Sequence, residues 1–280
     1  MTIKIVTDST CDIPADLVAT KDIRVVPLYI NVGEQGYRDG IDISRQEFYE
    51  RLPDYDPMPK TATPGVDIFR QVYDQLAAQG ATEILSIHIS ISLSATVDVA
   101  RVAAQQTTSV PVTVLDSRQL SMGTGFLVLR AAEAAAEGAS MDEILAILED
   151  QIARTHVFAA LDTLEYLKRS GRMHAVVAGL GNLLEIRPLL KMYNGDPTAE
   201  RVRTRKRAIQ RLVDLLHNYG PYEKVAMLHI RARDEAARLM NDVKKLLPPG
   251  DILFAEVNPV IGANIGPGVI GFACVQIPGD

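Results

Sequence analysis

The segment Glu83–Ser117, EILSIHISISLSATVDVARVAAQQTTSVPVTVLDS, carries the reading that decides the fold. Glu83–Ile89 is a short apolar run that reads as a buried strand. Ser94–Gln106 reads as a helix, and Pro111–Leu115 as a second buried strand ending at Asp116-Ser117. Strand, helix and strand in that order form a βαβ unit with parallel strands. In such sheets ligands lie beyond the carboxyl ends of the strands, which here are hydroxyl-rich loops.

The same rhythm extends in both directions. Upstream, Ile3–Thr7 and Arg24–Ile30 read as strands, and Val66, Phe69, Val72, Tyr73 and Leu76 recur at helical spacing over Gly65–Gln79. Downstream, Phe126–Glu137 and Met141–Arg154 read as helices separated by Gly138. His156–Leu161 is then a strand. A helix from Asp162-Thr163 through Lys168 is stopped by Ser170-Gly171, with Gly171 as a left-handed cap. Arg187–Tyr193 is a strand followed by an Asn194-Gly195 hairpin turn. Helices over Arg205–Tyr219 and Asp234–Leu246 alternate with strands over Glu223–Ile230, Ile252–Val257 and Val269–Ile277. The expected architecture is two α/β domains, a parallel-sheet domain over residues 1–154 and a mixed α/β domain over residues 155–280, with the ligand cleft between them.

The chain of 280 residues is 47% hydrophobic and 23% charged, enough apolar content for a real core. Its net charge of −6 argues against nucleic acid as the main partner, because phosphate binding needs a basic excess. Cys11 and Cys274 form no CxxC pair and no disulfide framework, which fits a reducing cytoplasm. Met1–Asp12 does not read as a signal peptide, and no stretch approaches the roughly 20 apolar residues that span a bilayer.

The motifs of common chemistries are mostly missing. Gly266, Gly268 and Gly271 spell GxGxxG, but a dinucleotide site needs a strand before and a helix after, and here a strand follows. These glycines read better as a tight loop near a ligand. The chain has no GxxxxGK[ST] phosphate loop and no GxSxG elbow. The histidines His88, His156, His174, His217 and His229 form no metal-ligand cluster, so no metal and no cofactor are expected. Asp8, Asp116 and Asp162 each follow a strand and could act together on a metal or a proton. Each is also followed by Ser or Thr, the chemistry of loop and helix caps, which is the favoured reading. The basic run Arg201, Arg203, Arg205, Lys206, Arg207 and Arg211 is either a solvated helix face or a docking surface for an acidic partner.

Taken together, the loops are more specific than any one of them. Thr7–Pro14 (TDSTCDIP), Lys60–Gly65 (KTATPG), Ser90–Thr96 (SISLSAT), Asp116-Ser117 with Ser121, Gly123 and Gly125, Asp162–Arg172 (DTLEYLKRSGR) and Val260–Gly268 (VIGANIGPG) run in order along essentially the whole chain. They resemble the signatures of the DegV family. The resemblance implies two α/β domains with one long-chain fatty acid buried between them and no catalytic residue. It implies that the carboxylate is held by Thr61 and by one or more of Ser90, Ser92 and Ser94. Ile91 stands where the family has a second Ser, and Asn264 where it has a His. Asn264 is thus expected to meet the carboxylate as well, through an amide that donates a hydrogen bond but does not titrate near neutral pH. Arg172 resembles the family's Arg near the cleft mouth, and with Arg203, Arg205 and Arg207 is expected to serve partner docking. Members of this family can act as the lipid-binding subunit of a bacterial fatty acid kinase, presenting the carboxylate to a separate catalytic protein. The rivals are a ligand-sensing regulator and a phosphotransferase or acyl hydrolase using Ser92, Ser94 or Ser121.

Overall fold

The structure, a computed structural model, describes residues 2–173, 187–250 and 252–279. The first half is built on a four-stranded parallel sheet in the order β2-β1-β6-β7, with β1 Ile3–Asp8, β2 Arg24–Val26, β6 Glu83–His88 and β7 Val112–Asp116. The βαβ unit is present, with Ile84 opposite Val112 and His88 opposite Asp116. Helices α3 (Val66–Ala78) and α4 (Thr96–Gln106) cover one face, packing Phe69, Tyr73 and Ala100 onto Val6, Val26 and Ile84.

The second half is a six-stranded mixed sheet in the order β10-β9-β8-β13-β11-β12. Its strands are β8 Thr155–Ala160, β9 Arg187–Tyr193, β10 Asp196–Val202, β11 Tyr222–His229, β12 Leu253–Glu256 and β13 Ile270–Gln276. Only β11 and β12 pair in parallel. Alternation along each strand separates two faces. Phe158, Phe272 and Met227 meet α8 (Arg205–Tyr219) and α9 (Arg233–Asp242) on the outside, while Val157, Ala273 and Leu228 join the inner core.

The inner core belongs to both halves. Helix α5 (Met122–Ala136) is buried on nearly every side and packs between β1 and β6 of one sheet and β8 and β13 of the other. A helix that is apolar all round has no solvent face to keep. Gly125 permits the close approach: a Cβ there would crowd the side chains of Met122 and Ile13 at 3.0 and 3.1 Å. Helix α6 (Met141–Arg154), started by a capping box of Ser140 and Glu143, ends one residue before β8 begins.

Several elements depart from the sequence reading. The single strand expected over Arg24–Ile30 is two, because Pro27 cannot donate to a ladder. The chain leaves β2 and enters β3 (Tyr29–Val32), which joins β4 (Gln35–Arg38) and β5 (Lys60–Ala62) in a small antiparallel sheet. Helices α1 (Ala15–Thr20), α2 (Arg45–Arg51) and α10 (Pro259–Ile265) were not anticipated, being too short for a periodic signal. The helix at Asp162-Thr163 begins later, as α7 (Glu165–Arg169), with Gly171 left-handed as expected. The helix expected over Asp234–Leu246 ends at Asp242, followed by a short 3-10 turn. His174 lies outside the described residues. Among them no helix is long and apolar enough to cross a membrane.

Gly271 sits in β13 opposite Ala159, and a Cβ there would overlap the Phe158 carbonyl oxygen and crowd the Ala159 Cβ at 2.6 Å. A Gly271→Val chain is therefore expected to lose about 1–3 kcal/mol in chemical denaturation. Unchanged stability would mean that β8 and β13 are not packed this closely.

Candidate functional site

A cavity of about 460 Å³ lies where the inner face of the six-stranded sheet meets the carboxyl ends of β1 and β6. That volume falls within the ~300–1,000 Å³ of small-molecule sites. Val157, Ala159, Leu190 and Met192 give the sheet side of the lining an aliphatic surface, extended by Leu120. Strand register aligns it: Val157 lies opposite Met192 and Ala159 opposite Leu190, so their side chains share one face. The polar lining groups include Thr61, Thr63, Ser94, Arg172, Lys191 and Asn264, and Val260, Ile261 and Ile265 add further apolar surface.

Each polar group is held by a local device. Thr61 stands on β5, paired with Ile30 of β3. Thr63, Ser94 and Thr96 form a hydroxyl triangle, with oxygen separations of 3.1 Å for Thr63–Thr96, 3.4 Å for Thr63–Ser94 and 2.8 Å for Ser94–Thr96. Ser94 follows a tight turn in which its backbone N–H donates to the Ser90 carbonyl. Asn264 is on α10, which packs against α7; its amide nitrogen donates to the Val260 carbonyl at 2.7 Å.

Arg172 follows the Gly171 cap and turns inward. It donates through Nη1 to Asn264 Oδ1 at 2.7 Å and through Nη2 to Thr61 Oγ1 at 3.2 Å. It is half-buried, and loss of hydration pulls its pKa below the usual arginine value. An arginine nevertheless stays protonated in a protein. No carboxylate pairs with it among the described residues. Arg172 thus stands in the lining beside neutral hydroxyl and amide partners, whereas the other lining cation, Lys191, is paired with Glu200 at 2.7 Å.

The sequence candidates divide accordingly. Thr61, Ser94, Asn264 and Arg172 come together around the cavity. Ser90 is buried and bonded to Ser92 at 2.9 Å, Ser92 is exposed, and neither lines the cavity. The Asn264 amide, expected to donate to a carboxylate, uses one proton on Val260 and offers its oxygen to Arg172. Arg172, expected at the cleft mouth, is part of the lining. The basic run is not one helix face: Arg201 lies in β10, and Arg203 precedes α8. Arg205 pairs with Glu235 at 3.0 Å and Arg211 with Glu200 at 2.7 Å, whereas Arg203 and Arg207 are exposed. Thr63 was missed as a cavity residue, although it stands two residues from Thr61 in the same quoted loop.

The aspartates at strand ends act as caps and clamps. Asp8 accepts from the backbone of Thr10 at 3.0 Å and of Ile89 at 3.1 Å, and from His88 Nδ1 at 3.0 Å. Burial pushes Asp8 up, but the hydrogen bonds from His88, Thr10 and Ile89 outweigh it and leave its pKa below the ordinary value. His88 also meets Ser86 Oγ at 2.7 Å, giving a Ser-His-Asp alignment. Ser86, His88 and Asp8 are all fully buried, and none lines the cavity, so the alignment offers no nucleophile to a ligand there. Asp116 accepts from the backbone of Arg118 at 2.9 Å, and Asp162 pairs with Arg187 at 2.6 Å. No group of acids, histidines and cysteines able to hold a metal occurs among the described residues.

Asp39 is also buried beneath the site, where its backbone N–H donates to the carbonyl of Leu28, a cavity residue, at 2.9 Å. Burial raises its pKa to about 7, aided by the charges of Asp12 and Asp8 and opposed by Ser9 and Arg45. Between its ordinary 3.8 and about 7, the folded chain holds a proton that the unfolded chain has released. Stability from this group therefore falls as pH rises through that window. An Asp39→Asn chain should gain stability relative to the parent between pH ~4 and ~7 in thermal unfolding. A difference between the two that stays flat with pH would exclude a titrating Asp39.

Fold and cavity together define an α/β protein with a largely apolar pocket whose lining includes an arginine and several hydroxyls. The sequence matches the model of the DegV family of uncharacterised proteins over residues 2–276. A DegV domain-containing protein of Streptomyces coelicolor is 36% identical over 274 residues, 96% of each chain. Among solved structures, a fatty-acid-binding DegV family protein from Thermus thermophilus is 35% identical with a TM-score of 0.89, covering 99% of this chain and 100% of that one. DegV of Bacillus subtilis, a fatty acid binding protein, is 30% identical with a TM-score of 0.91, over 98% and 99%. The chain belongs to the DegV family.

Proposed function

We propose that this chain binds one long-chain fatty acid, with the tail along Val157, Ala159, Leu190 and Met192 and the carboxylate against Arg172, Thr61 and Ser94. The observation that carries the reading is Arg172, a cation in the lining of a largely apolar cavity whose partners among the described residues are neutral. A charge removed from water calls for a counter-charge, and a ligand carboxylate supplies it. The related structures from Thermus thermophilus and Bacillus subtilis, both of fatty acid binding proteins, support the choice of ligand. Affinity comes mainly from the tail. About fourteen methylenes at ~0.8 kcal/mol each give on the order of 11 kcal/mol before ordering costs. The head group adds ~1.5–3 kcal/mol through charged hydrogen bonds and fixes the direction of the ligand.

In this reading the chain is a carrier rather than a catalyst, and Arg172 belongs to the carboxylate site instead of a docking surface. Presentation of the carboxylate to a separate fatty acid kinase is the finer part of the proposal. Arg203, just before α8, and Arg207, in its first turn, would then meet the partner. Arg205, tied to Glu235, would hold α8 against α9.

Mass spectrometry of lipid extracted from the natively purified protein should find a stoichiometric long-chain fatty acid. After delipidation, the parent should prefer a saturated fatty acid over the fatty alcohol of equal length. Arg172→Gln should weaken acid binding about ten- to a hundredfold and leave the alcohol nearly unchanged. Equal binding of acid and alcohol by the parent, or no bound lipid at all, would overturn the proposal.

A further inference from the structure

The opening motif Thr7–Pro14 contains Asp12, which does not line the cavity. Asp12 is buried at 2% exposure and has a left-handed backbone, with φ of 55°. Its Oδ1 accepts from the backbone N–H of Asn258 at 2.8 Å and from Asn258 Nδ2 at 3.1 Å, a contact across 246 positions. Its Oδ2 accepts from Ser121 Oγ at 2.6 Å, and Arg45 pairs with it at 3.2 Å. Ser121 also has a positive φ, of 50°. Two non-glycine residues in this sparsely populated region touch each other, an arrangement that persists only where the surroundings over-determine it.

Asn258 caps α10: its Oδ1 accepts from the N–H of Ile261 at 2.9 Å. Tyr49 holds the same turn, its hydroxyl 2.8 Å from the Val257 carbonyl, and its ring lies where a Cβ on Gly262 would be. Arg45 further donates to the Glu256 carbonyl. The helix so fixed carries Asn264, whose oxygen receives Arg172. A helix of seven residues has little stability of its own, so its placement depends on these contacts.

We propose that Asp12 is a remote positioning residue of the head-group site, acting through Asn258 and α10 to set Asn264 and thereby the aim of Arg172. The inference rests on the fatty-acid reading, and it joins two of the sequence motifs, Thr7–Pro14 and Val260–Gly268, into one device. Removing the carboxylate would let α10 shift, with its lining residues Val260, Ile261 and Ile265, while the sheet wall of Val157, Ala159, Leu190 and Met192 stays in place. The loss should then appear more in carboxylate recognition than in tail burial.

The test uses delipidated full-length chain titrated with a saturated long-chain fatty acid and with the matching alcohol. Asp12→Gly removes the acceptor while tolerating the positive φ, and Asp12→Asn keeps an acceptor oxygen as the conservative variant. Asp12→Gly should bind the acid about tenfold more weakly and the alcohol almost as well, with Asp12→Asn recovering most of the difference. Adding Asn264→Ala should weaken acid binding in the parent but add little in Asp12→Gly, since the two act in one chain of contacts. Should Asp12→Gly not fold, Tyr49→Phe, which loses only a hydroxyl, should show the same selective effect on a smaller scale. A parent that discriminates acid from alcohol normally, with folded variants that do so equally well, would overturn the role of Asp12. A parent that does not discriminate would instead overturn the fatty-acid reading itself.

Discussion

The guanidinium of Arg172 is the constraint around which the polar end of the cavity is organised. Arginine cannot shed its charge, so partial burial must be compensated by partners. Among the described residues the protein supplies two neutral ones, Thr61 Oγ1 and Asn264 Oδ1, far apart in the chain. Hydrogen bonds to neutral groups orient a cation without neutralising it. The site is thus left with an electrostatic demand that the proposed carboxylate meets. An acid side chain in the same place would have satisfied Arg172 internally and repelled the ligand.

That geometry requires the two sheets to keep a fixed relation. Helix α5 supplies it, buried against β1 and β6 on one side and β8 and β13 on the other. The hydrogen-bonded cluster of Asp12, Arg45, Ser121 and Asn258 adds directional contacts at the edge of that core. Apolar packing is tolerant of small rotations, whereas a buried carboxylate with several donors is not. The halves are therefore joined by a continuous core and aligned by a polar pin.

Much of the fold was legible because its main elements have strong local signals. The apolar run of Glu83–His88, the helical spacing of Val66–Ala78 and the Asn194-Gly195 turn all stand where periodicity and turn chemistry put them. The misses share a physical cause. β2 and β3 are three and four residues long and are split by Pro27, and α10 has seven residues, too few for a period to emerge. In the site, family-like loops pointed to Thr61, Ser94 and Asn264 as neighbours. They gave no sign that Ser90 turns to Ser92, or that Arg172 turns into the cavity. Those orientations depend on the Gly171 cap and on partners roughly ninety or more residues away, Asn264 and Thr61, and such contacts leave no local pattern.

The central claim is that a bound carboxylate meets a fixed cation in this cavity. It can be read directly by ¹³C NMR of a carboxyl-labelled long-chain fatty acid held by the protein and titrated with acid. Apolar surroundings alone would raise the carboxyl pKa, whereas an adjacent guanidinium with hydroxyl donors lowers it. The account predicts a carboxyl signal that stays in its ionised position well below the ordinary carboxylate range of about 4–4.5, and that shifts toward ordinary titration in Arg172→Gln. A carboxyl that titrates at or above that range in the parent protein would contradict it.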